Sequence, residues 1–197
     1  MPNLEPVTLE GEFVTLLPLT LDHIDALWDV GHYPTIWEWN AWPLTGRPDM
    51  VTYVESALEQ QTRGEMLPFV TVENKSGRII GSTRFAAISM SNKRLEIGWT
   101  WITPAWQRTF VNTEAKLLML RYAFNSLKCN RVEWKTDALN MQSRNAILRL
   151  GAVFEGTFRQ HMTTATDRLR DTVYFSVVKE EWPSVEQGLI RKLDRTP

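Results

Sequence analysis

The chain has 197 residues, 43% of them hydrophobic and 23% charged, with 22 lysines and arginines against 23 aspartates and glutamates. That size and balance describe one globular domain with a sizeable core and exclude general disorder. A net charge of −1 supplies no counterion-release drive, so neither nucleic acid nor a membrane surface is expected as a partner.

The single cysteine, Cys129, forms no intramolecular disulfide, and with only three histidines beside it no metal site is expected. No apolar run approaches the roughly 18 residues of a membrane span. The first residues, MPNLEPVTLEGEF, carry neither the positive nor the apolar region of a secretory signal. A cytoplasmic location is expected. Nine tryptophans are a heavy load for this length, and Trp37, Trp39 and Trp42 lie close together.

In chain order, residues 13–19 (FVTLLPL) read as a strand. Leu21, Ile24, Leu27 and Trp28 then share one helical face, with Thr20 placed to cap it. Pro48 suits the first turn of a second helix running to about residue 62. Residues 66–88 read as a hairpin, MLPFVTV and RIIGSTRFAAI about a turn at 74–77. A further strand covers 94–102 (RLEIGWTWI). Simple alternation places Leu95, Ile97 and Trp99 on one side and Glu96, Gly98 and Thr100 on the other.

The strongest helix is expected over 112–127, with Leu117, Leu120, Phe124 and Leu127 inward and Glu114 and Arg121 outward. A strand (RVEWKTD), a helix over about 143–150 stopped by Gly151, and two strands (AVFEGTFRQHM, DTVYFSVV) follow. The order β, α, α, β, β, β, α, β, α, β, β predicts an α/β fold of the α+β type, with a mixed sheet. Residues 1–182 are read as a single domain and 183–197 as a C-terminal tail carrying a short helix.

Three places could carry chemistry. Between the strand ending at Ile102 and the helix from Asn112, the first helical turn offers unpartnered N–H groups to a phosphate, and Arg108 adds charge there. Most helix starts bind only water. Asn140 and Ser143 could be functional or could simply cap the next helix. Glu96 could be a base lining a cleft or a carboxylate on the wet face of the sheet.

Together, GRIIGSTRF, RLEIGWTWITPAW, VNTEAKLLMLRYAFNSLKCNRVEWKTD and NMQSRNAILRLGAVFEGTFRQHM resemble the GCN5-related N-acetyltransferase superfamily. Within it they are similar to the RimJ/RimL-type group that acetylates ribosomal-protein N-termini. The resemblance covers about residues 78–162. It implies a splayed central sheet with helices on both faces and acetyl-CoA, as co-substrate, in the gap. The backbone of Trp101, Ile102 and Thr103 would pair with the pantetheine arm. Gln107, Arg108, Thr109, Phe110, Val111, Asn112 and Thr113 would hold the pyrophosphate, with Asn140 and Ser143 near the thioester. One departure stands out: the family's small residues in that loop are Phe110 and Asn112 here, where glycine would allow close approach to phosphate.

The resemblance implies direct attack of a primary amine on the thioester in a ternary complex. Glu96 is the candidate base, with Ser143 or Tyr174 as proton donor to the leaving sulfur. Trp37, Trp39 and Trp42 would wall the acceptor pocket, or else only close the core over the first helix. The acceptor is either a protein N-terminal α-amine or a small-molecule amine. The α-amine, with a pKa near about 8 against about 10.4 for lysine, needs the weaker base. The altered loop leaves a catalytically weak or inactive CoA-binding or protein-interaction module as the alternative. The resemblance also admits a homodimer.

Overall fold

A computed structural model describes residues 5–39 and 44–194. The strands are β1 (Leu9–Glu10), β2 (Val14–Pro18), β3 (Leu67–Glu73), β4 (Arg78–Ser89), β5 (Arg94–Ile102), β6 (Arg131–Asp137), β7 (Val153–Thr163) and β8 (Leu169–Val178). The helices are α1 (Ile24–Gly31), entered through a tight turn at Leu21–His23, α2 (Pro34–Trp37), α3 (Arg47–Thr62), α4 (Val111–Arg121), α5 (Met141–Leu150) and α6 (Trp182–Leu193). β1 and α2 are additions to the expected order. Both are very short, too short for periodicity to reveal.

The strands form one eight-stranded sheet in the order β1-β2-β3-β4-β5-β6-β8-β7. Every neighbouring pair is antiparallel except β5 and β6. That parallel pairing is brief: Arg94 faces Arg131, Leu95 faces Val132 and Glu96 faces Glu133, after which the two strands part. Six residues of β5 and four of β6 thus run on beyond the last shared rung. The sheet is splayed, with Glu96 at the apex of the opening.

Both faces carry helices, one along the sheet as far as β8 and the other chiefly over β3 to β5. On one, Leu16, Phe69, Phe85, Leu95, Ile97 and Phe175 pack under α4, α5 and α6. On the other, Val70, Ala86 and Trp101 pack with Leu27, Trp37, Met50 and Val54 from α1, α2 and α3. The expected helix over 112–127 ends as α4 at Arg121 and continues through a wider turn, Tyr122–Ser126, closed by Leu127 N–H donating to Tyr122 O at 3.0 Å. The C-terminal helix α6 lies on α4: Trp182 stacks on Phe124 at 5.3 Å and donates its indole N–H to Asn125 Oδ1 at 3.0 Å. Cys129 is buried and its thiol is pushed up to about 11, consistent with packing alone.

β5 departs from simple alternation. Ser82 faces Trp101 and Arg84 faces Gly98, so β5 spends one residue more than β4 between those rungs. The extra residue sits at Trp99, whose φ is +49°, and the bulge reverses the faces beyond it. Trp99 therefore leaves the Leu95–Ile97 side and lies near Arg84 and Lys135 on the Glu96 side. Thr100 turns inward to Thr83 Oγ1 (2.7 Å) and Lys116 Nζ (2.6 Å). Lys116 is buried on α4 with hydroxyls and a thioether for partners, and burial pulls its ammonium down to about 7.

Candidate active site

The site is two half-sites that meet at the splay. The first is backbone. Between Ile102 and α4 the chain makes a short turn at Pro104–Trp106 and then the loop 107–110. Arg108 is exposed and takes φ +61°. The first helical bond of α4 runs from Glu114 N–H to Phe110 O, and Val111 N–H reaches Thr109 Oγ1 at 3.4 Å. The N–H groups of Arg108, Thr109, Phe110, Asn112 and Thr113 have no acceptor among the described residues. Five free amides around a helix start, with the positive end of the helix dipole behind them, form a cradle that could hold an anion.

Phe110 and Asn112, where the resemblance puts small residues, leave this cradle open. Phe110 has φ −71°, which any residue adopts, and its ring packs against Phe13 at 4.4 Å. Asn112 Oδ1 is buried without a partner among the described residues. Thr113 is buried, and its hydroxyl receives Arg149 at 3.4 Å.

Just past β5, Thr103 N–H is taken by Ile80 O at 2.8 Å. Antiparallel alternation then directs the backbone of Trp101 to β4 as well and that of Ile102 to the open side. Gln107 Nε2 donates to Ile102 O at 2.9 Å, and Gln142 Nε2 on α5 donates to Gln107 Oε1 at 3.3 Å. These bonds set the start of α5 opposite the cradle, across the mouth of the splay. Asn140 caps α5 by accepting Ser143 N–H at 2.9 Å. The Ser143 hydroxyl has no partner among the described residues.

The second half-site is built from side chains. Glu96 is 3% exposed, and its carboxylate lies over Gly98, where a Cβ would come within 2.9 Å of Oε1. Its partner is Lys135, with Nζ 2.9 Å from Oε2. Burial raises the proton affinity of Glu96, and the Lys135 ammonium opposes that rise. Lys135 faces Tyr174 across β6 and β8, and Tyr174 packs on Phe158 at 4.7 Å and near His161. Asp137, 2% exposed, accepts Leu139 N–H at 2.9 Å and pairs with Arg168. The sequence reading overlooked Lys135, Asp137, Arg168 and Arg170. Alternation along RVEWKTD puts Glu133, Lys135 and Asp137 on one face, but which strands lie beside that face is not legible locally.

A cavity of about 710 Å³ lies beside this half-site, between the α1–α2 segment and the β7–β8 loop. Trp28, His32, Trp37, Glu38, Trp39 and Arg168 line it. Trp37 both closes the core over α1 and lines this cavity. It is 7% exposed, donates to Gly31 O at 2.7 Å and packs on Trp101 at 5.6 Å. Trp42 lies outside the described residues.

Residues 14–153 match the acetyltransferase (GNAT) domain family. The chain belongs to that family, and it is an acetyltransferase. It is 28% identical over 176 residues to the N-acetyltransferase p20 of Bacillus licheniformis, covering 89% of this chain and 98% of the relative. A GCN5-related N-acetyltransferase from Brucella melitensis superposes with a TM-score of 0.88 at 32% identity, over 96% of this chain and 86% of that one. A Mycobacterium smegmatis RimJ in complex with CoA-disulfide shares the fold, with a TM-score of 0.77 at 20% identity over 91% and 88% of the two chains. Among the described residues, no cluster suited to a metal ion and no membrane-crossing helix occurs.

Proposed function

We propose that the enzyme transfers the acetyl group of acetyl-CoA to a primary amine, with the cofactor in the splay and the acceptor on the Glu96 face. The observation that carries this reading is the early end of the β5–β6 pairing, which opens the sheet at a buried carboxylate. The thioester supplies an activated acetyl carbon, which the amine attacks directly.

The amide cradle at 108–113 suits a pyrophosphate, and its donors are backbone groups that need no glycine at Phe110 or Asn112. The open edge of β5 at Ile102 offers a backbone N–H to the carbonyl oxygen on which charge develops. Glu96 takes the proton from the incoming ammonium, directly or through a water. Its raised proton affinity brings it closer to an amine, and an α-amine near about 8 is the easier partner than lysine. Ser143, at the start of α5, and Tyr174, on the Glu96 face, are the candidates to protonate the leaving sulfur. Trp37 and Trp39 would form part of the acceptor wall. Protein N-termini and small-molecule amines both fit these requirements.

The decisive experiment is calorimetric titration with acetyl-CoA, followed by an amine screen on wild type and Glu96→Gln. Binding is expected at micromolar concentrations. Glu96→Gln should bind within twofold of wild type while turnover falls by at least about 100-fold. No binding at millimolar acetyl-CoA would overturn the reading. Equal turnover by Glu96→Gln would remove Glu96 as the base.

A further inference from the structure

Three cations and two carboxylates face one another on the uncovered side of the splay. Lys135 pairs with Glu96 at 2.9 Å, and Arg168 pairs with Asp137. The fifth group is Arg170, on β8. Its side chain is 12% exposed, and its Nε stands 4.0 Å from Asp137 Oδ2, beyond hydrogen-bond reach. That Nε is buried without a partner, and the guanidinium makes no hydrogen bond among the described residues. Asp137 already accepts Leu139 N–H and the Arg168 guanidinium. The group is therefore one positive charge in excess, and the excess sits on a fork of five donors.

A largely buried charge with empty donors is costly and is not kept for stability alone. Burial disfavours the charged form of Arg170, and the neighbouring Asp137 and Glu96 work against that. Its fork matches an oxyanion bound through two oxygens, of which the planar carboxylate is the smaller and the one that an amine acceptor most simply carries. The β7–β8 register holds it in place. Phe158 faces Thr172 and Met162 faces Arg170, so β7 spends four residues where β8 spends two. Gln160, at φ +52°, anchors that bulge by donating its N–H to Asp171 Oδ1 at 2.7 Å.

We propose that Arg170 is an acceptor-binding residue, and that the preferred acceptor carries a carboxylate within a few bonds of the amine that Glu96 receives. This rests on the reading of Glu96 as the base and names the class of amine. The carboxylate has two sources, the α-carboxylate of a free amino acid or the side chain of an acidic N-terminal residue.

Matched pairs separate them: glycine against glycinamide, and aspartyl-glycinamide against asparaginyl-glycinamide. Each is titrated into the CoA-saturated protein and assayed for acetylation with acetyl-CoA, in wild type, Arg170→Lys and Arg170→Met. In the pair that carries the natural source, wild type should favour the carboxylate member at least about tenfold in affinity and in kcat/KM. Arg170→Met should shrink that preference to within about twofold, and Arg170→Lys should keep part of it. Without ligand, Arg170→Met should melt at or above the wild-type temperature, because a largely buried charge without a hydrogen-bond acceptor has been removed.

No preference in either pair overturns the proposal, as does a preference that survives in Arg170→Met. A markedly lower melting temperature for Arg170→Met, with Arg170→Lys melting like wild type, would make the guanidinium a structural partner of Asp137 and also overturn it. Carboxylate preference in binding with no acetylation of any amine would sink the proposed reaction at Glu96 and leave Arg170 as a carboxylate-binding residue only. Acetylation without preference would do the reverse.

Discussion

Glu114 in the first turn of α4 and Glu96 at the apex of the splay are both buried, at 5% and 3% exposure. Their surroundings differ in kind. Glu114 accepts three backbone N–H groups, from Glu12 at 2.8 Å and from Phe13 and Val14 at 2.7 Å each. Its carboxylate fills the space over Gly11, where a Cβ would meet it at 2.6 Å. Glu96 has one ammonium for a partner and stands at an opening in the sheet. The first carboxylate is satisfied by fixed dipoles and pins the β1–β2 turn to the helix that begins the anion cradle. The second keeps acceptor capacity in reserve, which is what a base requires. Burial does not distinguish the two carboxylates; the number of committed donors does, and that difference is the ground on which Glu96 is proposed as the base.

The largest effect should come from removing the structural member. Glu114→Ala strands three amide donors and leaves a void, and should cost about 3 kcal/mol of unfolding free energy, read by urea denaturation. Turnover per folded molecule should change far less than in Glu96→Gln. If Glu114→Ala left stability intact and abolished turnover, the contrast between the two carboxylates would collapse.

A smaller effect tests the single partner of Glu96. The carboxylate must be ionised to act, so the acid limb of kcat/KM against pH should lie above the usual carboxylate value of 4.5. Lys135 holds that limb down, so Lys135→Met should move it to higher pH. A limb that stays in place or moves to lower pH would show that Lys135 does not govern Glu96. The same sign applies to folding. A carboxylate with raised folded-state proton affinity contributes stability below pH 4.5, and that contribution is lost as pH climbs through its folded value.

The smallest effect should be at the backbone half-site. Arg108→Gly removes the charge while suiting φ +61°, so acetyl-CoA affinity should fall only about three- to tenfold by calorimetry. A loss of 100-fold or more would mean that the side chain, not the amides, holds the anion.

The two half-sites were unequally legible in advance. The cradle is local. A strand ending before proline, an irregular link and a strong helix are readable from order alone, and the motifs around them carry the family resemblance. The role of Glu114 was missed because helical periodicity assigns it to the outer face, while its acceptor bonds go to residues a hundred positions away. The faces of Trp99 and Thr100 were read wrongly beyond Gly98, since one extra residue in β5 reverses alternation and nothing local marks it.

The sequence by itself determined the run of main elements, the helix start that offers free amides, and the carboxylate in RLEIGW, since these depend on propensity and spacing over a few residues. Only the tertiary structure decided that β5 and β6 part after Glu96, that Lys135 becomes its partner, and that Arg170 is left with empty donors. Those outcomes depend on which distant strands lie side by side and in what register, and no local periodicity encodes that pairing.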